Sequence, residues 1–242
     1  MHIVIFTGGD FTSPEDSVSY FKNFPIVDYV IAADSGADTL EKYQEFYKGQ
    51  IDFSPDFILG DMDSISKYGL KKYQNRIQLY PTDKDYTDTE LALEKAHEIL
   101  KKNSQNSMIT LLGGAGGFSD HFLGILDTFS SANHADFWLC GNQIFCLLTK
   151  NNMLSISNLK LNDRISIART TDYYKGGFIH SDGLEWESNL FRKTGMPSIS
   201  NRISKEYLEE KKPVKISVTE GKYLVIVPVS VSLKKEKLCF EE

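Results

Sequence analysis

From Met1 to about Leu139 the chain alternates short β-branched or aromatic runs with stretches of helical period. HIVIFT (2–7), VDYVIAAD (27–34), DFILG (56–60), RIQLY (76–80), MITLLG (108–113) and ADFWLC (135–140) predict strands. Most are too continuously apolar for a sheet with one wet face. Between them, 35–47, 87–102 and 119–131 predict helices, and in the second Ala92, Leu93, Ala96, Ile99 and Leu100 form one apolar stripe. Thr87 followed by Glu90 predicts a capping box at its start. Strands alternating with helices imply a mainly parallel sheet covered on both faces, an α/β Rossmann-like half.

Beyond Gly141 the period changes. NQIFCLLT (142–149), RISIART (164–170), KISVTE (215–220) and KYLVIVPVSV (222–231) predict strands separated by turn residues, and SKEYLEEKK (204–212) is at most a short helix. The expected organisation is therefore an α/β domain over 1–141 and a smaller all-β domain, a sandwich or barrel, over 142–242.

Composition narrows the class. With 242 residues, 41% of them hydrophobic and 25% charged, the chain is long enough to bury a real core and too apolar to be disordered. No apolar run approaches the ~18 residues of a membrane span, and the first ten residues do not read as a signal peptide, so a cytoplasmic protein is expected. Cys140, Cys146 and Cys239 form no C-x-x-C pair and suggest no zinc site. A net charge of −6 without a long basic run argues against nucleic acid. An acidic protein that binds a small phosphate compound beside its own carboxylates needs a divalent cation between them, and Mg²⁺ is the usual choice.

In open α/β sheets ligands bind beyond the carboxyl ends of the strands. Those positions hold TGGD (7–10), ADSGAD (33–38), GDMDS (60–64), PTDKDYTD (81–88) and GGAGGFSDH (113–121), each glycine-rich or acidic. In YPTDKDYTDTELALEKA (80–96), helix chemistry accounts for Asp88 and Glu90 but leaves Asp83 and Asp85 unexplained. If 60–64 is extended, Asp61 and Asp63 point to the same side, and with Asp88 they would converge on one or two Mg²⁺ ions. Gly113, Gly114, Gly116 and Gly117 precede a helix, where backbone N–H groups approach a phosphate, though no Walker lysine follows. An EF-hand starting at Asp83 fails because Asp88 takes the position that needs glycine. DKDYT also has the D-x-D-x-T form of haloacid-dehalogenase-type phosphatases, but here GDMDS comes before it, the reverse of that order.

In this order, ADSG, GDMDS, DKDYTDTELAL and GGAGGFSDH resemble the thiamine pyrophosphokinase family, and DGLEW (182–186) and SISN (198–201) extend the likeness more loosely into the β half. The resemblance implies transfer of the β,γ-pyrophosphoryl group of ATP to the hydroxyethyl oxygen of thiamine, with release of AMP, by a homodimer whose active sites are shared between subunits. By the same resemblance Asp61, Asp63 and Asp88 bind Mg²⁺, and Asp120 is the aspartate of the glycine loop. Asp34 and Gly36 lie on the nucleotide side, and Ser198, Ser200 and Asn201 help form the thiamine pocket. Phe118 stands where the family usually has arginine and Lys84 where it often has glutamine, so Lys84 is expected to neutralise ATP phosphate charge.

Transfer of this kind depends on positioning and charge neutralisation. Asp61 or Asp85 would accept the alcohol proton, and the residues leave that choice open. Trp186 is read either as core of the β half or as an aromatic face for a cationic ring. A pterin-alcohol pyrophosphokinase, a phosphatase and a non-catalytic nucleotide sensor are the competing functions.

Overall fold

The computed structural model describes residues 1–83, 85–102, 107–172, 177–187, 190–191 and 196–238. The chain divides into two compact units, one of residues 1–15 and 24–141 and the other of 16–23 and 142–242. No helix among the described residues is long and apolar enough to cross a membrane.

The first unit holds six strands, β1 (His2–Phe6), β2 (Tyr29–Ala33), β3 (Phe57–Gly60), β4 (Ile77–Leu79), β5 (Met108–Leu112) and β6 (Phe137–Cys140). All are parallel, in the spatial order β6-β5-β1-β2-β3-β4. The order reverses at β1, whose neighbours are β2 and β5, so the loops after β1 and β5 flank a topological switch point. β1 is buried along its whole length, as its unbroken apolar run requires.

The second unit begins with α1 (Val18–Asn23), which packs on β15 (Ser232–Lys237) and is tied by Ser19 Oγ donating to the Val231 carbonyl at 3.1 Å. The helices of the first unit are α2 (Gly36–Phe46), α3 (Lys67–Lys72), α4 (Asp88–Lys101) and α5 (Ser119–Thr128). α4 starts at the expected capping box: Thr87 Oγ1 accepts from the Glu90 N–H at 3.2 Å, and Glu90 Oε2 accepts from the Thr87 N–H at 2.8 Å. α2 starts against β1, where a Cβ on Gly36 would collide with the Phe6 carbonyl oxygen, so the close approach requires glycine.

The rest of the second unit is β7 (Gln143–Leu148), β8 (Asn152–Ser157), β9 (Ile165–Arg169), β10 (Phe178–Asp182), β11 (Leu190–Phe191), β12 (Ser198–Asn201), α6 (Lys205–Glu209), β13 (Val214–Glu220) and β14 (Tyr223–Pro228). Its strands pair antiparallel in two sets, β12-β9-β14-β7 and β11-β10-β13-β8-β15. Along β8 and β13, alternate residues such as Leu154, Ile156, Ile216 and Val218 are buried, and their neighbours are more exposed. The fold is thus a parallel α/β sheet followed by antiparallel β structure, as the change of period implies.

Candidate active site

An acidic corner forms where β2 and β3 end. Ala33 pairs with Leu59 in the parallel register, so the residues just past both strands become neighbours. The Asp34 N–H donates to the Leu59 carbonyl at 2.8 Å, with Asp34 itself at φ 44°, a left-handed conformation that aspartate tolerates better than most residues. One carboxylate oxygen from each of Asp34, Asp61 and Asp63 lies within 4.8 Å of the others. Asp34 is only 7% exposed; its Oδ2 accepts the Ser64 hydroxyl, and its buried Oδ1 meets no hydrogen-bond donor among the described residues. Asp61 is half-buried and Asp63 exposed.

The segment carrying Asp61 and Asp63 is a turn, not the extended stretch expected. Met62 sits at φ 64°, and Asp61 Oδ1 accepts the Asp63 N–H at 3.3 Å, the local bond by which aspartate favours turns. The two carboxylates converge through this turn rather than through strand alternation. Asp88 is not among the three convergent carboxylates but lies close to Gly60, since a Cβ on Gly60 would lie 3.1 Å from the Asp88 carboxylate and 3.2 Å from Asp34 Cβ. Gly60 therefore leaves room for two acidic side chains to approach one backbone. Asp83 and Asp85 are exposed, and Lys84 lies outside the described residues.

At the switch point the loops after β1 and β5 pair with each other. The Gly114 N–H donates to the Gly8 carbonyl at 2.8 Å, and Asp10 and Ala115 exchange two backbone bonds of 2.6 and 2.9 Å. The Gly113 N–H is taken by the Leu139 carbonyl at 3.1 Å, and the Gly113 carbonyl accepts the Trp138 indole N–H at 2.7 Å. Gly113 and Gly114 thus build the loop with their own N–H groups. The N–H groups of Gly116 and Gly117, at φ 67° and 65°, meet no partner among the described residues. Just beyond, Phe118 is 80% exposed, and Asp120 is exposed in the first turn of α5 with Oδ1 accepting the His121 N–H at 2.9 Å.

The expected acceptor residues lie in the second unit. Ser198 is half-buried and Ser200 exposed, whereas Asn201 is 1% exposed and bonded to the backbone around Trp186. Trp186 is 59% exposed, which excludes the reading of it as core. The Arg202 guanidinium lies 5.5 Å from the centre of its indole.

The corner offers oxygen ligands only, the donor set that suits Mg²⁺, and Asp34 Oδ1 is buried with no donor among the described residues. Removing such a group from water without compensation is costly, so the residues present fit a small hard cation.

Residues 20–139 match the family model described as thiamin pyrophosphokinase, catalytic domain. The chain matches none of the curated proteins with which it was compared. Among solved structures it is similar to thiamine pyrophosphokinase from Bacillus subtilis, at 22% identity and a TM-score of 0.69 over 94% of this chain and 99% of that one. A thiamin pyrophosphokinase family protein from Enterococcus faecalis matches at 18% identity and a TM-score of 0.66, over 94% of this chain and 99% of that one. Yeast thiamin pyrophosphokinase matches at 17% identity and a TM-score of 0.62, over 94% of this chain and 86% of that one.

Proposed function

Because the chain belongs to the thiamin pyrophosphokinase family, we propose that it transfers the β,γ-pyrophosphoryl group of ATP to the hydroxyethyl oxygen of thiamine, giving thiamine diphosphate and AMP. The observation that carries this reading is the corner of Asp34, Asp61 and Asp63 at the carboxyl ends of two parallel strands, where Asp34 Oδ1 is buried with no donor among the described residues.

Asp34, Asp61 and Asp63 would hold Mg²⁺, and Asp88, close to Gly60, would add a further acidic ligand. When bound, the ion offsets the phosphate charge that builds up during transfer. The N–H groups of Gly116 and Gly117, which meet no partner among the described residues, would donate to phosphate oxygens, while Gly113 and Gly114 fix the loop that presents them. Asp34 and Gly36 border the nucleotide side, Lys84 adds positive charge there, and Asp120 holds the start of α5. The thiamine oxygen attacks the β-phosphorus, the bond from that phosphorus to the oxygen it shares with the α-phosphate breaks, and AMP leaves with the bridging oxygen. We assign the alcohol proton to Asp85, because a carboxylate committed to a cation is a weak base. Ser198 and Ser200 face the acceptor, and the homodimer implied by the family would complete each site with the β half of a second copy.

Incubation with ATP, Mg²⁺ and either thiamine or a pterin alcohol tests the reading. Formation of AMP that depends on thiamine supports it. AMP formed only with the pterin alcohol moves the assignment to that acceptor, phosphate released without any acceptor indicates a phosphatase, and nucleotide binding without turnover indicates a sensor.

A further inference from the structure

Trp138 on β6 is fully buried, and its one side chain meets both ends of the glycine loop, residues 113–118 between β5 and α5. At the first end its indole N–H donates to the Gly113 carbonyl at 2.7 Å, while the Gly113 N–H donates at 3.1 Å to the carbonyl of Leu139, the next residue of β6. Both polar groups of Gly113 are thus held by consecutive residues of one strand. At the other end the indole packs on Phe122 of α5, with ring centroids 5.2 Å apart, and on Phe129 just past that helix, at 6.1 Å.

A buried indole N–H needs an acceptor, and here the acceptor is a loop carbonyl rather than one of the core. Gly114, Gly116 and Gly117 follow at φ 75°, 67° and 65°, and glycine gives up more backbone freedom on ordering than any other residue. Such a stretch holds one shape only if its ends are fixed. Ile125 of α5 adds to the fixing, since a Cβ on Gly114 would lie 2.3 Å from its Cδ1. The N–H groups of Gly116 and Gly117 meet no partner among the described residues, so their direction depends on where the ends of the loop are held. Donors held in place beforehand lose less entropy when an anion arrives.

We propose that Trp138 is a positioning residue for phosphate binding, a clamp that fixes Gly113 through its N–H and α5 through its ring, so that the N–H groups of Gly116 and Gly117 are preorganised for phosphate oxygens. The proposal rests on the phosphate reading of this loop given above and adds the residue that sets the shape of the loop. Trp138 acts only through the loop, because its own side chain is closed off from solvent.

Calorimetric titration of the full chain with inorganic tripolyphosphate and Mg²⁺ tests this without turnover. Trp138→Phe removes the N–H and keeps a ring, and it should raise the Kd for tripolyphosphate about tenfold. In turnover the same variant should raise KM for ATP by a similar factor and leave KM for thiamine unchanged. Phe53→Leu is the control for lost stability alone, since Phe53 is buried among Phe6, Tyr43 and Tyr47. It should lower the melting temperature and leave the Kd at the wild-type value. Phe122→Leu, at a half-buried position, loosens the other end of the loop and should raise the Kd as well. A Kd unchanged by Trp138→Phe, or raised equally by Phe53→Leu, would overturn the proposal; if Trp138→Phe does not fold, a Kd unchanged by Phe122→Leu overturns it. Wild-type protein that binds no tripolyphosphate would overturn the phosphate reading of the loop as well, so the two failures are told apart.

Discussion

The Ser64 hydroxyl donates to Oδ2 of Asp34, while Oδ1 of the same buried carboxylate meets no donor among the described residues. With Asp61 and Asp63 close by, the charge on Asp34 is a cost that a cation would relieve. Asp34→Asn should therefore raise the melting temperature of metal-free protein and abolish the rise that Mg²⁺ gives the wild type. At a concentration a hundred times its Kd, Mg²⁺ should stabilise the wild type by about 2.7 kcal/mol. Calorimetry with and without Mg²⁺ checks both effects; an equal Mg²⁺ shift in the variant would place the cation elsewhere.

Asp61→Asn should lower kcat at least ~100-fold and leave the fold intact, because a half-exposed turn residue contributes little packing. Circular dichroism alongside turnover separates the two effects. Wild-type turnover at low Mg²⁺ would remove Asp61 from the site.

Two glycine substitutions should differ sharply. Gly36→Ala forces a Cβ into the Phe6 carbonyl and should cost more than about 3 kcal/mol, as overpacking at an inflexible backbone does. Gly117→Ala meets nothing within 4 Å and should cost only the ~1–2 kcal/mol of a left-handed conformation. Urea unfolding of both variants measures the difference.

Acid should weaken the fold through His2. Its Nδ1 donates to the Ile26 carbonyl at 2.9 Å, so in the neutral ring Nε2 accepts from Thr110 Oγ1 at 2.8 Å. Burial pushes the His2 pKa down from 6.5 to about 4, against the opposing pull of the Ile26 carbonyl and of Asp28. Above pH 6.5 the ring is neutral in both states and its contribution is complete. As the pH falls from 6.5 towards 4 the unfolded chain takes up the proton first. Stability then drops by up to roughly 3 kcal/mol. His2→Gln should flatten this part of the stability profile, and an unchanged slope would exclude His2 as its source.

If two copies share each site, Asp61→Asn and Trp186→Ala should complement in mixed dimers. In a two-fold dimer one site collects both lesions and its twin neither. Equal re-pairing gives about half mixed dimers, so activity should return to roughly a quarter of wild type. Mixed dimers that form and stay inactive would confine the site to one copy.

All six parallel strands were legible, most of them as continuous apolar runs and β4 only as the short alternation Ile77-Gln78-Leu79, and α4 was legible because its capping box and apolar stripe agree. α3 was not, since KYGLKK has no apolar stripe; it is set by Ser66, whose N–H and hydroxyl donate to Asp38 at 2.9 and 2.5 Å. β15 was missed because SLKKEK is charged, as suits an edge strand. The short β10 and β12 lack long apolar runs. At the site, the spacing of Asp61 and Asp63 marked the pair, but membership of Asp34 depends on β2 lying beside β3, a fact of sheet order that no local pattern contains. The setting of Trp186 was likewise hidden, because its backbone is held by bonds to Asn201, fifteen positions away.

The most direct measurement follows ATP radiolabelled in turn at the β- and γ-phosphates through a reaction with thiamine and Mg²⁺. Pyrophosphoryl transfer predicts that both labels enter thiamine diphosphate in equal amounts, matched by AMP. Thiamine carrying the γ-label alone with ADP released, or inorganic phosphate with unchanged thiamine, would contradict it.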